Sequence, residues 1–103
     1  MQTFNSYHTQ VCKALSRRGI QYMEEYPIGP YSVDIYLPEI GRLVELDGPG
    51  HWRKKDKART LAIMRLRPDL GEIVRIKVGT PIREALEVML HETDQRYQET
   101  PGA

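Results

Sequence analysis

Apolar and polar positions alternate in several registers along the chain, and each register predicts an element. Phe4, Tyr7, Val11 and Leu15 recur at helical spacing, so residues 4–18 are expected to form a helix, with Gly19 at its C-terminal cap. Residues 21–26 are a first strand, and Pro27, Gly29 and Pro30 mark the turn after it. Residues 31–37 alternate strictly, with Val33, Ile35 and Leu37 directed one way and Ser32, Asp34 and Tyr36 the other. After a turn over 38–41, residues 42–47 form a third strand, with Val44 and Leu46 on one face and Leu43, Glu45 and Asp47 on the other. A helix over 53–66 follows the Gly48-Pro49-Gly50 turn, buries Ala58, Leu61, Ala62 and Ile63 or Met64, and ends before Pro68. Residues 72–78 are a fourth strand. Thr80 then caps a third helix with Pro81 at its first position and Ile82, Ala85, Leu86, Met89 and Leu90 as its apolar stripe.

The order α-β-β-β-α-β-α predicts an α/β domain. Three successive strands with short turns suggest an antiparallel meander, and a helix before the fourth suggests a crossover to a parallel neighbour. The expected product is a mixed four-stranded sheet flanked by helices. The 103 residues suffice for one domain, placed at 1–97, with 98–103 as a frayed tail. No apolar run approaches the ~20 residues that span a bilayer. The start MQTFNSYHTQ lacks the pattern of a secretion signal, and a single cysteine, Cys12, forms no intrachain disulfide. The expectation is an intracellular, reducing, cytoplasmic location with no membrane partner.

Charge changes the picture through its distribution. The whole chain carries only +1, yet residues 53–67 hold seven basic residues (Arg53, Lys54, Lys55, Lys57, Arg59, Arg65 and Arg67) against the single acid Asp56. From Thr80 onward the acids Glu84, Glu87, Glu92, Asp94 and Glu99 outnumber Arg83 and Arg96. A basic central helix thus stands against an acidic last one. A charge run is as often a plain solvated face as a binding surface, so its neighbours must decide.

Those neighbours are acids. Glu45 and Asp47 share a face of the third strand, and Asp34 interrupts an otherwise apolar strand beside it. Three converging carboxylates repel and raise one another's pKa, and a divalent cation relieves that conflict. Hard oxygen donors suit Mg²⁺, with Mn²⁺ as substitute. The plain alternatives are that one or two of these acids are simply exposed on an edge strand or paired with Arg42 or Arg59, and that Asp47 belongs to the Asp-Gly turn. His51 follows the turn and is a near-neutral proton carrier. His51, Lys55 and Arg59 are spaced four apart on one face, which suits a phosphate. His8 and His91 have no such neighbours and read as surface or helix-packing residues. No zinc-type Cys/His spacing, Walker loop or GxGxxG occurs.

Asp34 on one strand, Glu45-Leu46-Asp47-Gly48 on the next, then His51, Asp56 and Arg59, together resemble the restriction-endonuclease-like PD-(D/E)XK superfamily. Within it the likeness is to very-short-patch-repair-endonuclease-like small domains, over residues 4–78. The resemblance implies metal-dependent hydrolysis of DNA phosphodiesters. It implies Asp34, Glu45 and the Leu46 carbonyl as metal ligands, and Asp34, Glu45, Asp47, His51 and Lys55 as the catalytic group. Arg53, Lys54, Lys55 and Arg59 would hold substrate phosphate. Asp47 stands where many members carry a lysine, whose task would fall to His51 or Lys55. No glutamate occurs at Tyr7-His8-Thr9-Gln10 in the first helix, which leaves Glu24 or Glu25 to serve instead, or a site with fewer acids. RNA-associated domains show a similar E-x-D-G-P-x-H run, which keeps RNA as the alternative to DNA. The competing function is a non-catalytic nucleic-acid-binding module on the same fold. At this size the enzyme could be a nickase; cutting two strands calls for a homodimer or two visits, and targeting calls for DNA shape, a mismatch, a branch or a partner protein.

Overall fold

The structure is a computed structural model that describes residues 4–48 and 54–99, with side chains described over 6–48 and 57–90. Helix α1 (Phe4–Arg17) is followed by β1 (Met23–Ile28), β2 (Tyr31–Leu37) and β3 (Arg42–Asp47). Helix α2 (Lys54–Leu66), a 3₁₀ turn (Pro68–Leu70), β4 (Val74–Lys77) and α3 (Ile82–Glu99) complete the order. The sheet runs β1-β2-β3-β4, antiparallel between the first three strands and parallel between β3 and β4. This is an α/β domain with an open mixed sheet and three helices, as the hydrophobic pattern predicts. No described helix is long and apolar enough to cross a membrane.

Local chemistry explains most boundaries. α1 ends in a Schellman arrangement: Gly19 has φ +71°, its N–H donates to the Ser16 carbonyl at 2.9 Å, and the Ile20 N–H donates to the Leu15 carbonyl at 2.9 Å. β1 starts later and ends later than expected, because Pro27 lies inside it, paired with Ser32, rather than in the turn. β1 is the sheet edge, where a residue without an N–H is tolerated. Thr80 does not cap α3. Its hydroxyl donates to the Lys77 carbonyl at 2.7 Å, and the first helical bond runs from the Ala85 N–H to the Pro81 carbonyl at 2.9 Å. Helix α3 extends through Glu99, so two residues of the expected frayed tail are helical and 100–103 lie outside the described residues.

The core has two parts. One gathers Tyr7, Val11 and Leu15 of α1, Ile35 and Leu37 of β2, Val44 and Leu46 of β3, and Leu86 and Met89 of α3. The other joins Ile28, Val33, Leu43, Leu70 and Ile73 to Ile63 of α2, with Tyr26 stacked on Tyr36 at 4.2 Å beside it. Val33 is therefore not in the cluster of Ile35 and Leu37, contrary to the simple alternation of β2. The same reversal occurs on β1, where Glu24 meets His8 of α1 while Tyr26 packs in the second cluster. Between the reversed positions lie Glu25 and Asp34, in adjacent strands whose pairs Glu24↔Ile35 and Tyr26↔Val33 flank them. Glu25 has φ +48°, a left-handed conformation uncommon for a side chain of its kind. That kink re-aims both strands at the level of Asp34.

Candidate functional site

Asp34 and Glu45 meet where the β2–β3 ladder changes character. Regular pairing runs from Leu37↔Arg42 through Tyr36↔Leu43 to Ile35↔Val44. Beyond it the carboxylates bridge the strands. Glu45 Oε2 accepts the Asp34 N–H at 3.0 Å, and Asp34 Oδ2 accepts the Leu46 N–H at 2.8 Å. Each acid thus holds the backbone of the strand opposite. Asp34 is half-buried, and its carboxyl is pushed up to about 6. Burial is the main cause, with the charges of Glu45 and Glu25 adding to it, while the Leu46 hydrogen bond and His8 pull the other way.

Glu45 is only 8% exposed, and a buried carboxylate needs a partner. Arg59 supplies it: Nη1 lies 2.7 Å from Glu45 Oε1, and Nη2 donates to the Ser32 carbonyl. Arg59 therefore anchors α2 to β2 and β3 here, a different task from the phosphate contact expected of it. Asp47 is likewise engaged. Arg75 of β4 grips it with a fork, Nε to Oδ2 at 2.8 Å and Nη2 to Oδ1 at 2.7 Å, and Nη1 reaches Thr60 Oγ1 of α2 at 2.9 Å. Bidentate pairs of this kind are the strong ones. Asp47 thus stands in a structural clamp beside the site rather than in its centre. Asp47→Asn is expected to lower stability by about 1–2 kcal/mol in urea unfolding, because a charge-assisted fork becomes a neutral contact.

Arg75 was missed from the sequence, although the signal was there. It is a charge set between Val74 and Ile76, as Asp34 is between Val33 and Ile35. Glu25, one of the two acids expected to stand in for a first-helix glutamate, lies opposite Asp34 between the pairs Glu24↔Ile35 and Tyr26↔Val33. His8 was read as a surface or packing residue. It is nearly buried, and its Nε2 lies 3.4 Å from Glu24 Oε1. Cys12 is buried on the same helix, and burial first, then Glu24, pushes its thiol up to about 12, so as a free thiol it is no nucleophile. The predicted His51 and Arg53 lie outside the described residues. Lys54 and Lys55 begin α2, but their side chains lie outside the described set, as does that of Asp56. Lys57, one turn before Leu61, is exposed.

The donor set at Asp34 and Glu45 suits a hard divalent cation. Both groups offer carboxylate oxygen, and each oxygen keeps a second lone pair beyond the hydrogen bond it accepts. The half-buried Asp34 charge is the one that a cation would relieve most. Comparison with known proteins finds no matching family model, no matching curated protein and no matching solved structure.

Proposed function

We propose that this chain is a small metal-dependent endonuclease acting on DNA, built on a restriction-endonuclease-like core. The observation that supports this most is the meeting of Asp34 and Glu45 at the end of the β2–β3 ladder, with Asp34 held half-buried among acids. Such a carboxyl is hard to explain as a stabilising device, since burial and its neighbours disfavour its charge. The backbone kink at Glu25, opposite it, is a second local departure from regular structure, and departures of this kind concentrate at functional sites.

In this reading Asp34, Glu45 and the Leu46 carbonyl would hold Mg²⁺, with Mn²⁺ as substitute. When bound, the cation supplies a Lewis acid for phosphate oxygens and a site for water. The chain's own residues do the rest. Arg59 fixes the rotamer of Glu45, and Arg75 fixes Asp47 and Thr60, so the acid face is organised before substrate arrives. The basic start of α2, with Lys54, Lys55 and Lys57, draws the polyanion, and His51 is assigned proton transfer. Selection would rest on DNA shape or a partner.

A second reading, a non-catalytic nucleic-acid-binding module, is favoured by one observation: Glu45 and Asp47 already carry arginine partners. A cleavage assay separates the two. Supercoiled plasmid should be nicked or linearised with Mg²⁺ or Mn²⁺, and left intact with EDTA or with Asp34→Ala protein. If plasmid, mismatched and branched DNA all survive while salt-dependent binding persists, the binding module stands and the nuclease falls.

A further inference from the structure

Between α1 and β1, three donors of different chemistry gather that are not those of the Asp34–Glu45 pair. His8 and Cys12 are four apart on α1 and so share one face of it. Glu24 comes from β1, and it is directed toward α1 because the alternation of β1 reverses at Glu25. A histidine nitrogen, the Cys12 sulfur and a Glu24 oxygen all lie within 4.8 Å of one another. An open cavity of about 410 Å³, lined by Cys12, Lys13, Tyr22 and Glu24 among others, adjoins the group.

We propose that His8, Cys12 and Glu24 form a binding site for a zinc-type cation, separate from the carboxylate centre. The donor set decides the class of metal. Thiolate, imidazole and carboxylate together suit Zn²⁺ and its surrogate Co²⁺, whereas Mg²⁺ favours oxygen alone. The spacing is close to what is needed. Zinc bonds of about 2.0–2.3 Å at tetrahedral angles put ligand atoms about 3.3–3.8 Å apart. His8 Nε2 and Glu24 Oε1 are already 3.4 Å apart, and the remaining gap is within a small side-chain rotation. Three protein ligands leave a fourth position, and the cavity beside Cys12 and Glu24 gives water or a small ligand a route to it. On binding, the Cys12 S–H bond breaks, a sulfur–metal bond forms, and the proton passes to solvent. No electron is transferred. The bound ion would tie the middle of α1 to β1, on the strand whose next residue, Glu25, lies across from Asp34.

The test uses the full chain, reduced and stripped of metal, titrated with Co²⁺ and then Zn²⁺. One equivalent of Co²⁺ should give tetrahedral d–d absorption and a sulfur-to-cobalt charge-transfer band, both displaced by Zn²⁺. Cys12→Ser should lose the charge-transfer band. Because Cys12 is buried and its replacement can disturb packing, Glu24→Gln is the second variant, at a side chain 54% exposed. It should weaken Co²⁺ binding more than about tenfold, since even outer partners of a metal site are worth that much. Zn²⁺ should raise the melting temperature of the parent chain and leave that of Glu24→Gln nearly unmoved. Asp34→Asn should keep the band, which separates this site from the nuclease reading. Absence of the band in the parent, or unchanged affinity and melting shift in Glu24→Gln, would overturn the assignment.

Discussion

Asp34→Asn is expected to abolish metal-dependent cleavage while making the protein more stable. The loss should be about a thousandfold or more, since a metal ligand supports several kcal/mol of transition-state stabilisation. Stability should move the other way because the folded state holds the Asp34 charge poorly. Burial, helped by Glu45 and Glu25, outweighs the hydrogen bond from Leu46. Asparagine keeps an oxygen for the Leu46 N–H and carries no charge, so it retains the contact and drops the penalty. Allowing for the partial exposure of Asp34, the gain near neutral pH is about 1 kcal/mol, or about 4–8 °C in melting temperature for a domain of this size.

The pH dependence of that gain has a definite sign. The Asp34 carboxyl titrates near 6 in the folded protein against an ordinary value of 3.8. The folded state therefore binds the proton more tightly than the unfolded state. Its contribution to stability is fully present below about 4, falls as pH rises toward about 6, and is flat above that. Melting curves of the parent and Asp34→Asn should converge at about pH 4 and separate at neutral pH. Mg²⁺ should narrow the neutral gap by stabilising the parent alone. A variant that melts lower at neutral pH, or a gap indifferent to pH, would remove the argument for a strained acid at this position.

Hydrophobic periodicity carried the fold a long way because it reports which face each residue buries. The bounds of β2 and β3 follow from alternation, and the end of α1 from Gly19. The parallel β4 follows from the helix that precedes it. What stayed hidden depends on tertiary contact. The reversal at Glu25 and Asp34 is invisible to a period-two pattern, since each half of β2 alternates correctly by itself. Arg75 reaches Asp47 only because β4 returns beside β3, and His8 meets Glu24 only because β1 crosses under α1. Of the candidate site, Asp34 and Glu45 were legible as acids on neighbouring strands. That each carboxylate bonds the other strand's backbone was not, because it requires the regular ladder to stop between them.

Arg59→Met should destabilise the fold by about 2–3 kcal/mol, lowering the urea midpoint with no change in slope. The loss has two parts. Glu45, with its side chain 10% exposed, would keep its charge and lose its cation, while the Ser32 carbonyl would lose a donor. The first part is recoverable and the second is not. Adding Glu45→Gln to Arg59→Met removes the stranded charge, so the double variant should regain all but about 1 kcal/mol, the ordinary worth of the remaining hydrogen bond. Arg59→Lys should rescue little, because a single ammonium does not span Glu45 and Ser32 as the guanidinium does. The same variants decide what Arg59 is for. If its main task were to grip phosphate, Arg59→Met would spare stability and instead weaken nucleic-acid binding and flatten its salt dependence. A stability loss that Glu45→Gln reverses would make Arg59 the residue that positions Glu45, with phosphate left to the lysines at the start of α2.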